Sequence, residues 1–99
     1  MFGFGKNING YIEEYKETAN AALIDVREPN EYKAGHIPGA KNIPLSEIET
    51  ISIDKNQLLY VYCLRGARSR KAVSILKKKG YMKVISIGGI KRYRGELQR

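Results

Sequence analysis

The chain has 99 residues, of which 42% are hydrophobic and 28% charged, and its formal net charge is +8. This length leaves room for one domain, residues 1–99. The lone cysteine excludes an internal disulfide, and the lack of any apolar run of about 18 residues excludes a membrane-spanning helix. We therefore expect a cytoplasmic protein without a membrane partner. The basic excess permits nucleic-acid binding, but neither a Cys/His finger nor an aromatic RNP-like strand is present, so no nucleic-acid partner is predicted.

Four elements are predicted in the first third of the chain. Residues 1–9 are expected to be loosely ordered or to form one short strand, and the first twenty residues lack the long apolar stretch of a signal peptide. Apolar side chains spaced i, i+3, i+4, i+7 predict an amphipathic helix over residues 8–18. Residues 21–26 form an apolar run typical of a buried parallel strand. An early proline and a final glycine favour a short helix over residues 28–35.

The middle of the chain is predicted to contain two strands separated by helical turns. Residues 39–45 resemble a short strand limited by Pro44. Residues 45–51 predict one or two helical turns with Ser46 as the N-cap. Residues 57–63, QLLYVYC, predict the clearest strand, because the run is apolar, contains Val and Tyr, and ends directly at the only cysteine.

The clearest predicted helix follows that cysteine. Residues 67–80 carry an apolar stripe and end at a glycine, which is a natural helix stop. Residues 83–89 predict a last strand, and residues 90–99 predict a closing helix. Strands that alternate with helices predict an α/β fold, in which a parallel sheet is covered on both faces. Ligands bind beyond the carboxyl ends of the strands in such sheets, and Cys63 falls at one of these ends.

The loop after Cys63 contains what is needed to activate a thiol. Cations and the positive end of a helix lower the pKa of a cysteine, and both are supplied by Arg65, Arg68 and a helix that begins near residue 67. Gly66 permits a tight turn in which successive N–H groups hold an anion. The sequence therefore predicts an anion cradle around a nucleophile. The alternative is a buried structural cysteine.

The spacing between the cysteine and the arginines separates two kinds of chemistry. Cysteine phosphatases have a C-x5-R pattern, which would require an arginine at position 69, where this chain has Ser69. The loop from Cys63 to Arg68 reads C-x4-R, and this shorter cradle suits a single sulfur atom better than a tetrahedral phosphate or arsenate. Arg70 and Lys71 are placed on the helix, where they would steer anions from outside.

Three stretches of the sequence resemble the single-domain rhodanese family, which is thiosulfate sulfurtransferase-like. They are DVREPNEYKAGHIPGAKNIPL at 25–45, YVYCLRGARSRKAVSILKKKGY at 60–81 and VISIGGI at 84–90. The resemblance implies a rhodanese-like α/β fold with a parallel sheet of about five strands and helices on both faces. It also implies that Cys63 is the catalytic residue, which accepts a sulfane sulfur as a persulfide and passes it to a nucleophile.

The resemblance further implies which residues bind the substrate. The backbone amides of residues 64–68 would hold the persulfide, and Ser69 would turn its hydroxyl toward the sulfur. Arg65 and Arg68 fall where the family places groups that help to bind anionic donors such as thiosulfate. The expected substrate-binding residues are Leu64, Arg65, Gly66, Ala67, Arg68 and Ser69.

Polar residues outside the loop are assigned to structure rather than to chemistry. Asp25 ends an apolar strand, so its buried carboxylate needs a partner, either nearby backbone N–H groups or Arg27. Both residues are expected to support the wall of the Cys63 loop. His36, the only histidine, lies in a turn-rich stretch and is predicted to be structural. One histidine and one cysteine cannot supply the four ligands of a structural zinc site, so neither a metal nor another cofactor is predicted.

Three functional hypotheses remain open at this point. The first is a monomeric thiosulfate sulfurtransferase that moves a sulfane sulfur from an anionic donor to cyanide or a thiol. The second is a persulfide carrier or interaction module, which would load the same cysteine and hand the sulfur to an acidic protein acceptor. The third, a cysteine phosphatase or arsenate reductase, is disfavoured by the loop length and by the lack of a second cysteine.

Overall fold

The computed structural model of the chain describes residues 6–99. Part of the predicted loose stretch, residues 1–5, lies outside the described residues. Its remaining residues are ordered, because Asn7 caps the first helix by accepting a hydrogen bond from the Asn9 N–H at 2.9 Å. Ile8 is only 2% exposed and belongs to the core.

Helices and strands alternate along the described chain, each within the stretch where the sequence predicts it. They are α1 (Ile8–Lys16), β1 (Ala22–Asp25), α2 (Pro29–Ala34), β2 (Lys41–Asn42), β3 (Leu59–Cys63), α3 (Ala67–Lys78) and β4 (Val84–Gly89). Two 3-10 helices, Leu45–Thr50 and Ile90–Arg92, complete the described elements. No helix within residues 6–99 is sufficiently long and apolar to cross a membrane.

The strands form one parallel sheet in the order β2-β1-β3-β4. This arrangement confirms the predicted α/β fold with a parallel sheet, with four strands in the described chain where about five were expected. Strand β3 lies between β1 and β4, so Cys63 at its end is flanked by the carboxyl ends of both neighbours. That position is where parallel sheets bind their ligands.

The two faces of the sheet carry separate apolar layers, and a helix packs on each. All five residues of β3 are at most 1% exposed. Leu59, Val61 and Cys63 face the layer that contains α3, whereas Tyr60 and Tyr62 face the layer that contains α1. This alternation is the period of two of a strand buried on both faces, and it confirms the prediction of helices on both sides.

The predicted N-cap at Ser46 was wrong. The 3-10 helix begins one residue earlier, at Leu45, and Pro44 occupies the cap position with φ −55° and no side-chain cap. The Pro44 carbonyl accepts the first hydrogen bond of this helix, from the Glu47 N–H at 2.8 Å, so the cap position is already filled one residue before Ser46.

The predicted closing helix was also wrong. Of residues 90–99, only Ile90–Arg92 is helical. Gln98 instead forms an antiparallel bridge with His36, and the N–H of each donates to the carbonyl of the other at 2.8 Å. The last residues are therefore held by a distant turn rather than by their own helical bonds.

Candidate active site

The thiol of Cys63 is enclosed by backbone N–H groups. It lies at the end of β3 with 1% exposure, and its Sγ accepts hydrogen bonds from the N–H of Gly66 at 2.9 Å and of Ser69 at 3.3 Å. Gly66 has φ +115°, in the region that favours glycine, and occupies the N-cap position of α3. The loop thus points the N-terminus of α3 at the sulfur, as the sequence predicts.

The pKa of Cys63 lies below its ordinary value. Burial of the thiol acts to raise this pKa, but hydrogen bonds from the Ser69 N–H and hydroxyl and from the N–H groups of Gly66 and Arg65 outweigh that effect. These groups favour the charged form because they donate to the thiolate. A thiolate is the nucleophilic form of cysteine, so the N–H groups of the loop shift Cys63 toward its nucleophilic form.

The lowered pKa predicts the pH dependence of alkylation. The rate of iodoacetamide modification of Cys63 should rise with pH, because the thiolate reacts, with a midpoint below the ordinary 9.0. Ser69→Ala removes one stabilising group and should move the midpoint upward. Ser74→Ala, an exposed change on the same helix, should leave it unchanged. Mass spectrometry of the alkylated protein measures both, and equal midpoints for the two variants would contradict the role given to Ser69.

The Ser69 hydroxyl also ties the loop to the neighbouring strand. This side chain is fully buried, and its Oγ lies 3.0 Å from the Gly66 carbonyl oxygen and 2.7 Å from the Ser86 Oγ on β4. The predicted orientation toward the sulfur is therefore only part of its role. Ser86, which no pattern in the sequence singles out, is the residue that anchors it.

A small cavity of about 190 Å³ opens beside the cysteine. Its lining comes from the predicted cysteine loop and consists of Cys63, Leu64, Arg65, Ala67 and Arg68. Liquid water occupies about 30 Å³ per molecule, so the space corresponds to about six waters. A small anion has room there next to the thiol.

Arg68 is not a free cation. Its guanidinium forms a bidentate pair with the Glu31 carboxylate of α2, at 2.7 Å and 3.0 Å. The hydrogen bond from Arg68 holds the pKa of Glu31 at about 2, so the pair stays charged at every physiological pH. Sequence analysis missed Glu31 as a site residue, although the first rhodanese-like stretch contains it. Arg65, by contrast, is exposed at the rim of the cavity.

The two predicted supporting residues form a buried ion pair. Asp25 is fully buried and Arg27 is 5% exposed. Arg27 Nη2 donates to Asp25 Oδ2 at 2.8 Å and to the Gly35 carbonyl at 2.7 Å, and the guanidinium lies 5.8 Å from the centroid of the Tyr62 ring. The pair joins the end of β1 to the turn after α2 and to β3 one residue before the cysteine.

Strand β4 supports the cysteine loop by direct backbone contact. A Cβ on Gly89 would lie 2.2 Å from the Leu64 carbonyl oxygen and 2.5 Å from the Arg65 Cα. The Leu64 carbonyl in turn accepts a hydrogen bond from the Lys91 N–H at 3.1 Å. A pair of glycines at a strand end is the sequence signal for such an approach.

The remaining polar groups fit a structural assignment. His36 stacks on Tyr32 with 3.7 Å between ring centroids, and its Nδ1 lies 2.9 Å from the Tyr32 carbonyl oxygen. Within residues 6–99, no three His, Cys, Asp or Glu side chains gather in a way that could hold a metal ion.

The chain belongs to the rhodanese-like domain family, whose profile matches residues 9–96. Thiosulfate sulfurtransferase PspE of Escherichia coli is 44% identical over 72 residues, which cover 69% of this chain and 69% of PspE. A rhodanese with anions from E. coli has a similar structure, with a TM-score of 0.73 and 38% identity over 80% of this chain and 98% of its own.

Two Bacillus subtilis proteins are also similar. YqhL is 42% identical over 81 residues, 79% of this chain and 64% of its own length. YrkF, provisionally described as a sulfur carrier protein, is 38% identical over 82 residues, 77% of this chain and 44% of its own. The chain thus spans less than two thirds of the length of either relative.

Proposed function

We propose that the protein is a sulfurtransferase that moves a sulfane sulfur from an anionic donor such as thiosulfate to cyanide or a thiol. The observation that carries this proposal is the cradle of N–H groups, from Gly66 and Ser69, that point at the Cys63 sulfur. Such donors stabilise both a thiolate and a terminal persulfide sulfur. The names of PspE and of the E. coli rhodanese with anions support the same reaction class and an anionic donor.

The proposed reaction has two displacements at sulfur. The Cys63 thiolate attacks the outer sulfur of thiosulfate, the S–S bond of the donor breaks, and sulfite leaves with the bonding electrons. The persulfide then rests among the N–H groups of the loop. An acceptor thiolate or cyanide attacks its outer sulfur, and Cys63 leaves as a thiolate. No external oxidant or reductant is consumed.

The test is the intact mass of the protein after incubation with thiosulfate. Wild-type protein should gain one sulfur atom, about 32 Da, and lose it again when cyanide is added. Cys63→Ser should show no gain. The proposal fails if the wild-type protein gains no mass, or if Cys63→Ser gains as much.

A persulfide carrier is the second candidate, and it is favoured by the similarity to YrkF, which is provisionally described as a sulfur carrier protein. The enclosure of the thiol, which is 1% exposed, fits either function, because the adjoining cavity still has room for a small anion. The two functions are separated by steady-state turnover with thiosulfate and cyanide, which a carrier would catalyse negligibly after one loading.

The geometry gives less support to a phosphatase or arsenate reductase. Such chemistry needs an arginine that is free to bind the tetrahedral oxyanion bidentately. The two terminal nitrogens of Arg68 are instead bonded to the Glu31 carboxylate. Hydrolysis of an aryl phosphate by wild-type protein, lost in Cys63→Ser, would restore this hypothesis.

The pairing of Arg68 predicts the effect of Glu31→Gln. Removing this carboxylate leaves the positive charge of Arg68 uncompensated beside the cavity. The KM for thiosulfate should fall by about two- to fivefold, which is the effect expected from the attraction of an anion to one additional positive charge at the protein surface. Steady-state kinetics at low salt measures the change. Glu49→Gln, an equal charge change at an exposed residue, is the control. A raised KM in Glu31→Gln would show instead that the pair is needed to position Arg68.

A further inference from the structure

A second, larger depression lies next to the cysteine cavity and is lined by cations. It has a volume of about 460 Å³, and its charged lining consists of Lys6, Arg65, Arg70 and Arg92. A neighbouring depression of about 270 Å³ joins it through Arg65 and Arg92 and adds Lys91. Arg65 also lines the cavity beside Cys63. We call this continuous surface, from Arg70 through Arg92 and Arg65 to the cysteine cavity, the basic groove.

The arginines of the basic groove are not neutralised by carboxylates within residues 6–99. The ion pairs formed by these residues include none with Arg65, Arg70 or Arg92, whereas Lys6 pairs with Glu14. Cations that share a concave surface concentrate a positive potential there. An anionic ligand would relieve their mutual repulsion.

The walls of the basic groove are fixed by hydrogen bonds. The Asn9 side chain at the start of α1 donates to the Arg92 carbonyl at 2.9 Å and accepts from the Arg94 N–H at 2.8 Å. The cysteine loop, which carries Arg65, is held by the Lys91 N–H on the Leu64 carbonyl. A preformed surface loses little conformational entropy when it binds a ligand.

The size and the lining of the groove identify the class of ligand. Its larger depression corresponds to about fifteen waters, far more than a thiosulfate ion fills. The half-buried side chain of Tyr11 shares the lining with the arginines, whereas the lining residues Ile8 and Ile87 are almost fully buried. A surface that combines spread cations with one aromatic contact suits an extended acidic peptide better than one compact anion.

We propose that the basic groove docks an acidic segment of a protein sulfur acceptor and thereby brings the acceptor thiol over Arg65 to the Cys63 persulfide. This inference rests on the proposed function of Cys63. In the transfer step the acceptor thiolate attacks the outer sulfur, the bond between that sulfur and Cys63 Sγ breaks, and Cys63 leaves as a thiolate. The acceptor becomes the persulfide, so atoms and electrons balance.

A binding experiment tests the groove without any sulfur chemistry. The probes are a fluorescein-labelled peptide of glutamates and leucines with a terminal cysteine, and a matched peptide in which glutamine replaces glutamate. At low salt, fluorescence anisotropy should show that wild-type protein binds the acidic peptide at least tenfold more tightly than the neutral one. The double variant Arg70→Gln/Arg92→Gln should lose about tenfold of that affinity. Lys77→Gln/Lys78→Gln, with equal charge loss in the last turn of α3, should lose little.

A transfer experiment then connects docking to the reaction. Protein loaded with thiosulfate is mixed with each peptide, and mass spectrometry follows the sulfur from Cys63 to the peptide thiol. The acidic peptide should react several-fold faster, and the Arg70→Gln/Arg92→Gln change or added salt should remove that advantage. Each protein is loaded beforehand with excess thiosulfate, and only fully loaded samples are compared, so a slower loading of the variant does not affect the measured transfer rate.

The outcomes separate the two proposals. If wild-type protein fails to load, the proposed function fails, and the binding experiment still decides whether the groove holds acidic peptide. If loading is normal but both peptides bind and react equally, the docking proposal is overturned. Equal losses in the two double variants would overturn it as well, because general surface charge would then explain the binding. Tighter binding of pyrophosphate than of the acidic peptide would replace it with a small-anion site.

Discussion

Arg27→Met is expected to lower the free energy of unfolding by about 3–5 kcal/mol, the usual cost of breaking a buried ion pair. The carboxylate of Asp25 is fully buried, and Arg27 supplies three of its contacts through Nε and Nη2, between 2.8 Å and 3.1 Å. Methionine keeps much of the apolar stem but leaves the negative charge without its cation. The Gly35 carbonyl also loses the hydrogen bond from Arg27.

Urea denaturation measures this loss. The control is Lys16→Met, which breaks an ion pair whose side chains are 58% and 72% exposed and should cost less than about 1 kcal/mol. The double variant Asp25→Asn/Arg27→Met should recover part of the stability, because the amide removes the unpaired charge. Its oxygen can still accept a hydrogen bond from the backbone N–H of residue 27, as the carboxylate does in the wild-type protein. Similar losses for Arg27→Met and Lys16→Met would show that the buried pair is not a principal support of the site.

Local sequence patterns predicted most of the fold because the signals that mark its strands and helices are carried by neighbouring residues. The strand at Leu59–Cys63 is recognisable from an uninterrupted apolar run, and α3 from its apolar stripe and its terminal glycine. The pairing of Asp25 with Arg27 could also be predicted from the sequence, because the two residues are close together at one strand end and a buried carboxylate needs a cation or N–H groups. Each of these inferences needs only a few neighbouring residues.

What the sequence did not reveal depends on contacts between distant segments. Residues 90–99 have a composition that is compatible with a helix, but only Ile90–Arg92 is helical, and the bridge from Gln98 to His36 ties the last residues to a distant turn. The basic loop suggested that Arg68 is free to bind an anion, but Glu31, 37 positions earlier, neutralises it. An ion pair of this kind cannot be predicted from periodicity or spacing, because its two residues come together only after the sheet has formed.

Gly89→Ala is expected to cause the largest loss of sulfur loading among changes outside the cysteine loop. The new methyl group would lie 2.2 Å from the Leu64 carbonyl oxygen, inside any permitted contact, and the atoms it meets are backbone atoms that cannot rotate away. The cysteine loop must therefore shift. A displacement of about 1 Å at a reacting group can cost about a hundredfold in rate, and overpacking of this kind costs about 1–3 kcal/mol of stability.

The measurement is the rate of mass gain with thiosulfate, taken at a temperature at which circular dichroism shows the variant to be folded. Gly10→Ala is the matched control. The three atoms nearest to its methyl group would all belong to the exposed Lys6 side chain, the nearest at 2.8 Å, and this side chain can move into solvent. Alanine is also favoured over glycine inside a helix by about 1 kcal/mol. This control should load at the wild-type rate and be no less stable.

Substitutions at the two adjacent glycines at the end of β4 show whether a loss of sulfur loading comes from steric contact with the cysteine loop or from backbone strain. Gly88 has φ +106° and open space where a methyl group would lie, whereas Gly89 has φ −123°, which any residue adopts. Gly88→Ala should therefore lower stability through backbone strain with a smaller effect on the loading rate of the folded protein, and Gly89→Ala should lower the loading rate through the displaced loop. If both variants lowered stability and left loading intact, the contact between β4 and Leu64 would hold the fold together without positioning Cys63.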